Sequence, residues 1–152
     1  VRGRGLEGDR YFDAARRMSR DPRRAVDVTL IAAEALDALA AEHGLSLTAA
    51  ESRRNVLTRG LELDALVDRQ FRVGGAILRG LLPCHPCRHL ELLIGKPVLG
   101  ALAGRGGLRA VVVATGWLAV GDAVQVEAPA PARAGRAREW RSRPGSDPAL
   151  PS

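Results

Sequence analysis

Gln70-Phe71-Arg72-Val73 alternates polar and apolar side chains, Gly74-Gly75 interrupts it, and Ala76-Ile77-Leu78-Arg79 resumes the run. Two short runs separated by two glycines satisfy their backbone groups most simply against each other, so a β-hairpin is predicted there. An isolated hairpin is marginal in water and needs further strands and an apolar face. The chain offers both. Val26 to Leu30 alternates like a half-buried strand, and Ala32 to His43 then sets Ala33, Leu36, Leu39 and Ala40 on one helical face before Gly44 stops it. Arg54 to Thr58 reads as a strand ended by Gly60, Leu61 to Leu66 as one turn of helix, and Arg88 to Leu93 as a short helix. Leu108 to Ala114 and Leu118 to Glu127 read as closing strands around turns at Thr115-Gly116 and Gly121-Asp122. Many short strands with two small helices predict a mainly β, α+β fold, arranged as a closed or half-closed β-barrel.

One domain is expected from 152 residues of which 46% are apolar. With aromatics at only 3%, small aliphatic side chains must fill the core, and Phe71 and Trp117 are its bulky exceptions. Residues 1–127 form the predicted domain. Beyond Glu127 the Ala-Pro repeats and the Arg/Ser/Pro/Gly run bury too little apolar surface to offset their ordering entropy, so 128–152 is expected to be a disordered tail that is dispensable for folding.

The net charge is +6, yet half of that excess lies in 128–152, where five arginines face Glu139 and Asp147. What remains is too little to require a polyanion, so no nucleic acid partner is expected. No eighteen-residue apolar run occurs and the chain opens Val1-Arg2-Gly3 without an apolar leader, which predicts a cytoplasmic protein with no membrane partner. The absence of an initiator Met suggests that a preceding strand has been trimmed.

Chemistry concentrates in Pro83-Cys84-His85-Pro86-Cys87-Arg88-His89, which holds the only two cysteines and two of the three histidines. Two cysteines three positions apart do not form a disulfide framework. Cys-x-x-Cys also suits a thiol–disulfide couple, a zinc half-site or one reactive thiol. The couple fits a helix start, but here the pair follows a hairpin late in the chain rather than an early βαβ unit. Zinc would have to draw on Cys84, Cys87, His85, His89 and distant His43, with no second Cys-x-x-Cys. Two inert buried thiols are the plain alternative, although two prolines, two histidines and Arg88 make a polar setting for them.

Two further motifs carry anion chemistry. Gly3-Arg4-Gly5-Leu6-Glu7-Gly8 matches a dinucleotide fingerprint in letters, with Asp27 downstream, but Asp9 to Arg24 has no apolar stripe and contains Pro22, so no crossover helix follows. A Gly-rich loop with local contacts from Asp9 and Arg10 is the simpler reading. Ser52-Arg53-Arg54-Asn55 packs two guanidiniums and an amide at a strand start, either as a phosphate clamp or as a solvated turn with Arg54 paired to Glu51.

In order along the chain, Gly5-Leu6-Glu7-Gly8-Asp9-Arg10-Tyr11, Arg53-Arg54-Asn55-Val56-Leu57-Thr58-Arg59-Gly60, Phe71-Arg72-Val73-Gly74, Cys84-x-Pro86-Cys87-x-His89-Leu90-Glu91, Arg105-Gly106-Gly107-Leu108-Arg109-Ala110 and Val120-Gly121-Asp122 resemble the MOSC domain, named for the molybdenum cofactor sulfurase C-terminus. The resemblance spans nearly all of residues 3–127. It implies a β-barrel core similar to the barrel domain of pyruvate kinase. It also implies binding of the molybdenum cofactor (molybdopterin) or carriage of sulfur for metal–sulfur assembly, with Cys87 as sulfur acceptor or molybdenum ligand and Cys84 as its companion. Arg53, Arg54 and Asn55, with Asp9 and Arg10, are the implied cofactor contacts, and a sulfur-donating desulfurase or a redox protein is the implied partner. A molybdenum-dependent reductase of N-hydroxylated compounds and a non-catalytic binding module are the alternatives. Pyridoxal phosphate belongs to a desulfurase domain that is not part of this sequence, and with Lys96 as the single lysine no pyridoxal phosphate site is expected.

Overall fold

The computed structural model describes Val1, residues 5–8 and residues 26–126. The expectations for Asp9, Arg10 and Tyr11, and for the tail 128–152, lie outside the described residues.

The chain runs β1 (Val28–Ala32), α1 (Ala33–His43), β2 (Val56–Thr58), a 3-10 turn (Leu63–Leu66), β3 (Gln70–Val73), β4 (Ala76–Pro83), α2 (Arg88–Ile94), β5 (Leu108–Ala114) and β6 (Val124–Val126). The six strands form one sheet in the order β2-β1-β5-β4-β3-β6. β2 and β6 are its edges, so the sheet is a curled half-barrel with two helices. Only β1 and β2 are parallel, and a parallel pair needs a crossover, which α1 supplies. The predicted hairpin forms with Phe71 opposite Leu78 and Val73 opposite Ala76. α1 ends where Gly44 turns left-handed and donates its N–H back to Ala40.

Period-two alternation divides the apolar residues between two cores. Val28, Leu30, Phe71, Leu78, Leu108, Ala110 and their neighbours fill one face of the sheet. Ile31 points to the other face and joins Leu36 and Leu39 of α1, Leu90 of α2, and Val98 and Leu102 of the loop beyond. α2 is therefore anchored by one deeply buried residue, Leu90, and its Gly95 stop. β4 carries register shifts at Ile77/Leu78 and Gly80/Leu82, the second of them where Gly80 lies under the 3-10 turn. A Cβ on Gly80 would stand 2.1 Å from the Leu66 carbonyl oxygen, so this contact requires glycine.

Three sequence expectations need correction. The segment 118–123 is irregular and the closing strand is only Val124–Val126, because Asp122 accepts the N–H of Ala119 and Gly75 donates to the Trp117 carbonyl, which diverts this stretch into a folded turn. β1 and β2 each start two residues later than their alternation suggests, at Val28 and Val56. Trp117 is not a core residue: its side chain is 88% exposed, while Phe71 is fully buried. The two large aromatics should separate by mutation. Phe71→Ala should cost about 3–5 kcal/mol, whereas Trp117→Ala should stay within about 0.5 kcal/mol of the parent; urea unfolding of both variants measures the contrast.

Candidate functional site

The cysteine loop grows directly out of β4. Pro83 pairs with Leu108, and the next residue, Cys84, continues the ladder by donating its N–H to the Gly107 carbonyl at 2.6 Å. That position holds Cys84 in the interior at 5% exposure. Three residues on, Cys87 is the N-cap of α2, with an extended backbone and its carbonyl accepting the N–H groups of Leu90 and Glu91. Its side chain makes no capping bond and lies exposed, with His85, Arg88 and His89 exposed around it. The two thiols thus have opposite environments, one sealed in and one presented to solvent.

β5 enters the sheet beside this loop through Gly106-Gly107. A Cβ on Gly106 would meet the Cys84 carbonyl oxygen at 2.1 Å and the Pro86 ring at 2.9 Å. On Gly107 it would meet the Leu30 carbonyl oxygen at 1.9 Å. The backbone between the cysteine loop and β1 is therefore packed as closely as it can be.

The second motif approaches through the same glycines. Arg54 donates from Nε to the Gly106 carbonyl at 2.9 Å and from Nη1 to the Ser52 carbonyl at 3.3 Å. Asn55 is tied to β1: its Oδ1 accepts from both the N–H and the hydroxyl of Thr29 at 2.9 Å, and its own N–H donates to the Thr29 carbonyl. Arg53 differs from both. Its backbone is left-handed, φ 57°, a strained conformation for a residue with a Cβ. Its exposed guanidinium makes no hydrogen bond or ion pair among the described residues.

The turn beneath this motif is built by Thr48 and Glu51. Thr48 and Glu51 bond reciprocally, Thr48 N–H to Glu51 Oε2 at 2.9 Å and Glu51 N–H to Thr48 Oγ1 at 3.2 Å, which is the capping-box exchange announced by Thr-x-x-Glu. Glu51 does not pair with Arg54, as the solvated-turn reading required. It pairs instead with Lys96, whose ammonium lies 2.6 Å from Oε1 and also donates to the Ser46 carbonyl. Arg54 is turned toward Gly106 instead, which leaves the carboxylate to Lys96.

Among the described residues no group of three or more His, Cys, Asp or Glu side chains is arranged to hold a metal ion. A cleft of about 460 Å³ opens elsewhere, between α1 and the loops before the 3-10 turn and β5, with Glu34, Glu42, Glu62 and Asp64 among its walls. It contains neither cysteine, and its walls carry these four carboxylates against one guanidinium, Arg105, which is paired with Glu42. No helix of the described residues is long and apolar enough to cross a membrane.

Comparison with known proteins places the fold in a family. The family model of the MOSC domain matches residues 21–125, well over half of the chain. This chain belongs to the MOSC domain family. Among solved structures, YuaD from Bacillus subtilis superposes with a TM-score of 0.67 at 20% identity, covering 83% of this chain and 81% of that one. YiiM from Geobacillus stearothermophilus gives 0.61 at 20% identity over 68% of this chain and 55% of its own. YiiM from Escherichia coli gives 0.59 at 19% over 69% and 56%. At these identities the likeness is one of fold, and the MOSC chain described here spans little more than half the length of the YiiM proteins. No curated protein matches the sequence.

The Lys96 pair holds the Glu51 carboxyl down from its ordinary 4.5 to about 2, with the Thr48 bonds adding to it. Because the folded value is depressed, the stabilisation is complete above pH 4.5 and is lost as the pH falls from there toward 2. Glu51→Gln should therefore flatten this part of the acid-denaturation curve, and melting temperatures between those limits, compared with the parent, measure the difference.

Proposed function

We propose that this MOSC domain uses Cys87 as the acceptor of one soft atom, either sulfur carried as a persulfide or the molybdenum of a bound molybdenum cofactor. The observation that carries the reading is the contrast between two thiols three residues apart: Cys84 is sealed under β5 and Cys87 faces solvent at the start of α2. A carrier or ligand thiol must be reachable, and only Cys87 is.

The residues present fit a pterin cofactor at both of its ends. An exposed thiol is a soft donor that suits molybdenum. The cofactor's phosphate needs a cation that is not already engaged, and Arg53 offers one on a rigid, strained turn. Arg54 and Asn55 serve the frame, through Gly106 and Thr29 respectively. When bound, the molybdenum centre would supply two-electron oxygen-atom chemistry. In that case Cys87 would hold the metal and Arg53 the phosphate.

In the sulfur-carrying mode the exchange is balanced without an oxidant. The Cys87 thiolate attacks the outer sulfur of a donor persulfide, the donor's S–S bond breaks, and the donor leaves as a thiolate while Cys87 becomes a persulfide. A desulfurase bearing such a persulfide is the class of donor this requires. A redox protein is the corresponding partner if the chain works as a molybdenum reductase of N-hydroxylated compounds.

Expression in a host that makes molybdenum cofactor, followed by assay of the purified chain for molybdenum, pterin and persulfide, tests the reading. Molybdenum with pterin identifies the cofactor-binding mode and persulfide alone the carrier mode. Absence of all three rejects both and leaves a non-catalytic binding module. Cys87→Ser should abolish metal or sulfur retention, and Cys84→Ser should retain it. Arg53→Gly should weaken pterin retention in a salt-dependent way while leaving the melting temperature unchanged or raised, because glycine adopts the left-handed turn without strain.

A further inference from the structure

We propose that Arg54 is the positioning residue of the cysteine loop: by holding the Gly106 carbonyl it fixes the strip of backbone against which Cys84 and Pro86 are packed, and so sets where Cys87 is presented. The sequence motif suggests that Arg54 is half of an anion clamp, but the geometry gives it an internal task. Its Nε and Nη1 span two backbone carbonyls, Gly106 at 2.9 Å and Ser52 at 3.3 Å, which joins the turn before β2 to the loop before β5. Ser52 is itself buried at 1% exposure and bonded to the Ala49 carbonyl, so one end of the span is firmly seated.

The other end bears directly on the thiols. Gly106 lies so close to the Cys84 carbonyl and the Pro86 ring that it has no room for a methyl group, and Gly107 receives the Cys84 N–H. A displacement of Gly106 must therefore move the Cys84–Pro86 backbone or open a gap beside it. Residue 106 is in a loop, without a ladder partner of its own, and Arg54 is the side chain that restrains its carbonyl. A guanidinium suits this role because its planar fork holds its donors in fixed relative directions toward the two carbonyls.

The proposal rests on Cys87 being the working thiol, but its test reads the buried one. Alkylation of the full chain by iodoacetamide at 25 °C, with Cys84 and Cys87 resolved by peptide mass spectrometry, measures how often the loop opens. Arg54→Ala should raise the Cys84 rate by about ten-fold or more, the opening expected for one lost charge-assisted bond. Arg54→Lys should fall between, since one donor is kept. Gly106→Ala should expose Cys84 with Arg54 intact. Val73→Ala, a cavity in the first core beside the hairpin turn and at the opposite end of β4 from the cysteine loop, controls for general destabilisation and should leave Cys84 protected while the chain remains folded.

If Cys84 is as protected in Arg54→Ala as in the parent, or opens equally in Val73→Ala, the proposal is overturned. If Arg54→Ala does not fold, Arg54→Lys and Gly106→Ala decide on the same two criteria. Persulfide and molybdenum loading of the unmodified chain judges the role of Cys87 separately, so the two failures are distinguishable.

Discussion

Close approach of backbone to backbone at Gly106-Gly107 is the constraint on which the site depends. β5 sits between β1 and β4 in the sheet, and its entry has to pass between the Leu30 carbonyl and the Cys84 carbonyl with no side chain in the way. Because both glycines are flush against their neighbours, the cysteine loop, the β1 strand and the Arg54 turn are set in a single rigid relation. Any other residue there would push at least two of these apart. The hydrophobic cores on either face then stabilise a geometry that the glycines have already restricted.

Local pattern made much of the frame legible. The hairpin turn, α1 with its Gly44 stop and the strand ending at Ala114 are written in alternation, helical spacing and turn glycines, and the structure places them within a residue or two, although β4 continues four residues past Arg79 to Pro83. Elements governed by tertiary contact were harder to read. Trp117 carries the composition of a core residue, yet its backbone carbonyl is what the fold uses, bonded to Gly75, while the ring is left outside. The stretch 118–123 has the apolar content of a strand, but the Asp122–Ala119 bond and the tight contact of Asp122 with Gly74 draw it into a turn.

The site was legible in residue type and less so in role. By residue type Cys84 and Cys87 are equivalent; the resemblance singles out Cys87, and the β4–β5 register is what separates a sealed thiol from an exposed one. Arg53 and Arg54 are likewise interchangeable as letters. A left-handed turn sends one outward and the other toward Gly106, and no local signal in Ser-Arg-Arg-Asn specifies which. Thr48-x-x-Glu51 is different, since that spacing is a recognisable capping box and would have freed Glu51 from any pairing with Arg54 at the outset.

Lys96 is the single lysine of the chain, and its ammonium is spent on a strut between the loop after α2 and the turn that carries both arginines. The chain thus presents one ε-amine to any acylating reagent or acetyltransferase, and that amine is structural. Acylation there would remove the positive charge and a donor together, releasing Glu51 from its ion pair beneath Arg53 and Arg54. Lysine acylation on this protein therefore reports on one place in the fold, the support of its basic motif.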